Sequence, residues 1–115
     1  MSIPHRLLAV ACFENDRLRL QPTSEVLTTR LLTELPWWPL VKGQEHDYHG
    51  RIVRVFMERL GNRNWYALVW DLRFDVVRLI LVRDRIPDPQ LFLRELNPGI
   101  EYSVEATIRM VCRET

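Results

Sequence analysis

Few residues in this chain stand at spacings that support covalent chemistry. His46-Asp47-Tyr48-His49 sets two imidazoles three positions apart, a spacing that can hold a metal. A catalytic zinc usually takes three protein ligands, however, and His5 is distant in sequence. Asp71 and Asp75 flank Leu72-Arg73-Phe74, where carboxylates are expected to accept backbone N–H groups of a turn rather than work as an acid–base pair. Cys12 and Cys112 lie 100 positions apart with no Cys-x-x-Cys, so two reduced thiols are expected, with one disulfide between terminal strands as the alternative. Lys42 is the one Lys among 16 basic residues, which removes Lys-dependent phosphate loops and leaves a single candidate for a Schiff base. No Gly-x-Ser-x-Gly elbow and no Gly-rich cofactor loop occurs. The expectation is a protein that is not an enzyme, with no catalytic residues, no metal and no cofactor.

Recognition chemistry is better represented. Fifteen of the basic residues are Arg, whose planar forks clamp phosphates and stack on flat groups better than an ammonium does. Residues 50–85 hold eight of them against four acids, a local charge of +4 within a chain of net +1. Phe56, Trp65, Tyr66, Trp70 and Phe74 interleave with these arginines. Basic groups that track phosphates beside rings that stack on bases are the pattern of single-strand nucleic-acid sites. The other unusual feature is Pro36-Trp37-Trp38-Pro39, two adjacent indoles on a stiffened segment. They either close the bottom of a core or form an exposed platform for a partner.

The elements that must position these residues follow from periodicity. Leu7 to Phe13 reads as a buried strand, Glu14-Asn15-Asp16 as a turn and Arg17 to Leu20 as a half-exposed strand, so a hairpin is expected first. Pro22-Thr23-Ser24 starts a helix whose apolar side is Val26, Leu27, Leu31, Leu32 and Leu35, ending before Pro36. Residues 43–49 read as a polar loop. Strands are expected over 51–60, 65–70 and 76–82, a short helix over 90–96 with Asp88 at its positive end, a stop at Asn97-Pro98-Gly99, and an alternating closing strand over 100–112.

From Tyr48 to Arg113 this order resembles the OB-fold of the tRNA-anticodon-binding, single-strand nucleic-acid-binding type. The resemblance is carried by Gly50-Arg51-Ile52-Val53-Arg54, by Trp65 to Arg73 ending in Asp71-Leu72-Arg73, by Val76 to Val82, and by Leu96-Asn97-Pro98-Gly99 with Tyr102 to Ile108. It implies a small barrel that binds oligonucleotides across its strand faces. Arg54, four positions after Gly50, takes the place of the family's anticodon-contacting Arg, and Arg78 that of its base-reading group. The family's stacking aromatic falls on Val69 and its closing-strand Gly on Ala106, two departures that leave Trp65 as the candidate stacker.

The expected fold is therefore a single α+β domain over 1–115, mainly β. A hairpin and one helix (1–40) precede a small OB-like β-barrel (48–113). The expected function is non-catalytic binding of single-stranded or structured DNA or RNA through Arg51, Arg54, Arg63, Trp65, Arg73 and Arg78. The alternative is a protein-interaction module, an assembly subunit or a small inhibitor or immunity factor. That reading uses Trp37 and Trp38 as partner contacts, and strand edges for a homodimer. No apolar run approaches the roughly 20 residues of a bilayer span. The run from Leu7 to Phe13 is short for a signal peptide, so a cytoplasmic location is expected.

Overall fold

In the computed structural model, which describes residues 3–9, 11–48 and 50–101 (for 11, 12 and 97–101 the backbone alone), the order is ββ-poor at the start and β-rich later. Strand β1 (Arg6–Ala9) is followed by helices α1 (Ala11–Leu18) and α2 (Pro22–Glu34). Strands β2 (Gln44–Tyr48), β3 (Arg51–Leu60), β4 (Asn64–Arg73) and β5 (Val76–Ile86) come next, then α3 (Pro89–Glu101). The five strands form one sheet in the order β1-β5-β4-β3-β2. Neighbours from β2 to β5 are antiparallel, whereas β1 lies parallel to β5, with Arg6 opposite Val76 and Ala9 opposite Leu79.

The sheet is open, with β1 and β2 at its two edges, and the expected OB-like barrel is not formed. The reason lies in β4. A barrel wall has one dry face, but Tyr66, Ala67, Leu68, Val69, Trp70 and Asp71 are consecutive and all buried. A central strand buried on both sides needs a layer on each side. One layer is α1 and α2: Phe13, Leu27, Leu31 and Leu35 pack on Tyr66, Leu68, Trp70, Val77, Leu79 and Val82. The other is α3, whose Phe92, Leu93 and Leu96 pack on Val53, Val55, Val69 and Leu81.

Several elements differ from the sequence expectation. The first twenty residues make a strand and a helix, not a hairpin. Coiling 11–18 into α1 buries Phe13 and turns the Asp16 carboxylate onto the Val82 N–H (3.4 Å), serving β5 beyond the end of β1. Burial raises the Asp16 pKa, with Arg83 partly opposing it. Helix α2 occupies the expected stretch, but its apolar stripe is rotated: Val26 is exposed, while Ser24 and Thr28 are buried. No side chain caps its first turn; instead the buried Asp84 carboxylate accepts the Gln21 N–H at 2.7 Å. Arg17 binds Glu25 through both carboxylate oxygens (2.8 and 3.0 Å), locking α1 to α2.

Residues 44–48 form an edge strand rather than a loop. Helix α3 begins with Asp88 Oδ1 accepting the Gln90 and Leu91 N–H groups, as its position before the helix leads one to expect. It continues to Glu101, through the expected stop at Asn97-Pro98-Gly99 and into the start of the expected closing strand. The rest of that strand, Cys112 and His49 lie outside the described residues. No helix of the described residues is long and apolar enough to cross a membrane.

Candidate functional site

The residues expected to share one nucleic-acid face are distributed over different surfaces. Arg54 projects on the α2 side of β3, where its Nε and guanidinium donate to the carbonyl oxygens of Lys42 and Gly43, both at 3.0 Å. It is a brace for the loop that leads into β2. Arg78 is buried and doubly bonded to Asp71, at 2.8 and 2.7 Å, so neither is available as a base reader or turn cap. Arg51 and Arg73 flank that pair around a shallow hollow of about 510 Å³ at the Gly50 end of the sheet. Arg63 is exposed in the turn between β3 and β4, at the opposite end. The packed Val53, Val55 and Leu96 lie between the hollow and the Trp65 end. With no barrel, and with the six residues divided between two faces and two ends, the anticodon-type nucleic-acid face is not present.

Trp65 does sit in a site, but of another kind. A cleft of about 540 Å³ opens between the first turn of α3 and the sheet. Its walls are Gln44 and His46 of β2, Val55, Phe56 and Met57 of β3, Trp65 of β4, and Pro89, Gln90 and Leu93 of α3, with Gly43 at the rim. Why the cleft exists follows from strand lengths. Strand β2 pairs with β3 only from Arg51 to Val55, so Phe56 to Leu60 has no strand on that side among the described residues. Helix α3 spans the step so produced. The Tyr48 hydroxyl donates to the Leu93 carbonyl (3.1 Å), and Phe92, Leu93 and Leu96 reach the sheet below. The helix is therefore pinned beyond its first turn, leaving Pro89 and Gln90 over the gap.

The cleft combines apolar walls with a few polar groups. Trp65 is half-buried, with Met57, Val55 and Leu93 supplying the remaining apolar lining. His46 stacks on Tyr48 with ring centres 6.1 Å apart and planes 25° from parallel, which fixes its imidazole against the wall. Burial raises the Tyr48 phenol pKa, keeping it a neutral donor to α3. Gln44 and Gln90 add amides that both donate and accept. No cluster of His, Cys, Asp or Glu suited to a metal occurs among the described residues.

Sequence reasoning singled out Trp65 but missed its partners, since His46, Gln44, Met57, Gln90 and Leu93 come from three separate elements. The only sequence trace of the cleft is negative: a polar 44–48 that pairs with half of a ten-residue strand. Trp37 and Trp38 are both exposed, at 49% and 58%, and so do not close the core. Trp70 fills that role, its indole N–H donating to the Pro39 carbonyl at 3.1 Å. The strand edges proposed for a homodimer are poorly suited to it. Strand β1 has four residues, and β2 carries exposed Glu45 and Asp47, charges that oppose edge-to-edge pairing.

Comparison with family models, with curated proteins and with solved structures finds no match to this chain.

Proposed function

We propose that the chain is a binding domain that takes a small, flat, partly apolar molecule into the cleft between α3 and the sheet. The observation that carries this reading is the cleft itself, which the half-buried Trp65 lines together with Val55, Met57 and Leu93 and with the polar side chains of His46, Gln44 and Gln90. Its volume lies within the ~300–1,000 Å³ usual for small-molecule sites, and apolar walls with a few directed polar groups are their usual make-up. A ring system laid on the indole gains dispersion and an offset-stacking contact, while one hydrogen-bonding edge meets the amides. The groups lining the cleft are an imidazole, two amides and apolar side chains, a set suited to hydrogen-bonding one edge of a flat molecule whose ring lies on Trp65.

Indole is a suitable probe, read by two-dimensional NMR at the Trp65 side-chain N–H and the Met57 methyl. Saturable shifts at both positions are expected, and Trp65→Ala should weaken binding about tenfold, the effect of ~1.4 kcal/mol of stacking and burial. If millimolar indole leaves both signals in place, or moves only those of Trp37 and Trp38, the cleft is not a binding site.

A further inference from the structure

The end of the sheet where α2 finishes carries a second surface, built from other residues. The segment 36–43 is held tightly. The His5 N–H and ring Nδ1–H both donate to the Pro36 carbonyl, at 2.6 and 3.0 Å. The Trp37 and Trp38 N–H groups bond Glu34 O, Trp70 holds Pro39, and Arg54 holds Lys42 and Gly43. Gly43 has φ +76°, and a Cβ there would stand 2.9 Å from the Trp70 ring, so the segment lies directly on the sheet. From this fixed backbone Trp37, Trp38, Leu40 and Val41 nevertheless point into solvent.

Two more apolar groups join them. Ile52 is exposed on the same face of β3, two residues from Arg54. Phe74, in the β4–β5 turn, is 91% exposed and has φ +58°. It is next to Asp75, whose carbonyl accepts the Arg6 N–H, and Arg6 follows the His5 that binds Pro36. A bulky side chain in the left-handed region costs roughly 1 kcal/mol or more, a position that Gly or Asn fills without strain. The fold thus carries a strained backbone that presents a phenyl ring to water.

We propose that this end of the sheet is the surface on which two copies of the chain meet. Size and charge point to a second copy. The six side chains leave on the order of 700 Å² of apolar surface open, taking ~150–250 Å² for a whole aromatic group. A standard interface buries ~800 Å² per partner, so the patch has the extent one side of a dimer needs. The rim carries both signs, with exposed Arg6 and Asp75 only loosely paired at 3.9 Å, and the whole chain has net charge +1. A twofold axis lets each sign meet its opposite on the other copy, and nothing in the net charge repels self-association.

Sedimentation velocity from low micromolar to near-millimolar chain tests the proposal. A monomer–dimer equilibrium is expected, with Trp37 and Trp38 becoming shielded from iodide quenching as dimer forms. The double variant Trp37→Ser/Trp38→Ser should raise the dimer Kd at least tenfold with unchanged circular dichroism. Leu18→Ser, at a still more exposed apolar site away from this end, should leave the Kd unchanged. Phe74→Asn separates interface from fold: it should raise the thermal stability of the monomer by relieving φ while weakening the dimer. A chain that is monomeric throughout overturns the proposal, even with its indoles shielded, since another occupant then covers them. So does a dimer indifferent to the double variant, or growth of species that never closes at two.

Discussion

Tyr66 shows how one side chain can report on the packing of a whole layer. It is fully buried between α2 and the sheet, meeting Phe56 edge-on with ring centres 6.2 Å apart. The Thr28 hydroxyl gives its proton to Ser24 O at 2.8 Å, so at 2.7 Å it must accept from the Tyr66 hydroxyl. Burial pushes the phenol up to about 12, and the Thr28 bond offsets only part of that. The folded state therefore keeps its proton where the unfolded chain, ionising near pH 10, has lost it. Stability is undisturbed by this group below pH 10 and should fall by roughly 2–3 kcal/mol as pH rises to about 12. Urea unfolding across that range checks it, and Tyr66→Phe should remove this part of the slope while lowering stability at neutral pH through the lost hydrogen bond. Thr28 is not among the residues expected on the apolar side of α2, yet it is fully buried. A threonine that satisfies its own hydroxyl within the helix is apolar enough to bury, which periodicity of residue type does not register.

At the scale of elements, the strands from 51 to 86 were legible because β-branched and aromatic runs alternate with turn residues. Glycine at 61, with φ +64°, sits where the β3–β4 turn was expected. The first twenty residues were not legible, because Glu14-Asn15-Asp16 has turn chemistry whose deciding partner, the N–H of Val82, is remote in sequence. Strand β2 was hidden by its composition: an edge exposed to water can be built from Gln, Glu, His and Asp. Asp71 and Arg78 illustrate the same limit. As residues they suggested a turn cap and a base reader, yet they weld β4 to β5 as a buried pair directly opposite in register. Removing Asp71 takes the bidentate carboxylate from a buried guanidinium, so Asp71→Ala should cost ~3–5 kcal/mol in denaturant unfolding. Asp71→Leu with Arg78→Met should cost markedly less, because no charge is then stranded. Equal losses in the single and double variants would show that the pair contributes by shape rather than by charge.

For the molecule as a whole, an α+β composition could be read from the chain, but neither the open sheet nor its layering could. The expected barrel wall would leave one face of β4 wet, yet Ala67 and Val69 are as deeply buried as Tyr66, Leu68 and Trp70, and Val69 packs with α3. Small and β-branched residues fit a wet strand face and a covered one equally well, so only the position of α3 decides between a barrel and a three-layer arrangement. The candidate cleft shares that dependence, for it is made by α3 bridging a strand of ten residues and a neighbour of five.

The parallel pairing of β1 with β5 bears on how the chain reaches this state. Among the described residues the first strand pairs with β5 alone, and Arg6 must find Val76, 70 positions later. Made first, β1 is completed last: hairpins β2 to β5 close over short loops, whereas β1 waits for a closure entropy that grows with separation. Pulse-labelled hydrogen exchange during refolding should find the amides of residues 7–9 protected after those of β3 and β4, and early protection there would contradict this order. Until that step the inner edge of β5 is open, its four-residue seat for β1 bare. A nascent or stressed chain is then most vulnerable to exchanging N-terminal strands with a neighbour, so this small strand governs fidelity of folding more than it contributes to the finished core.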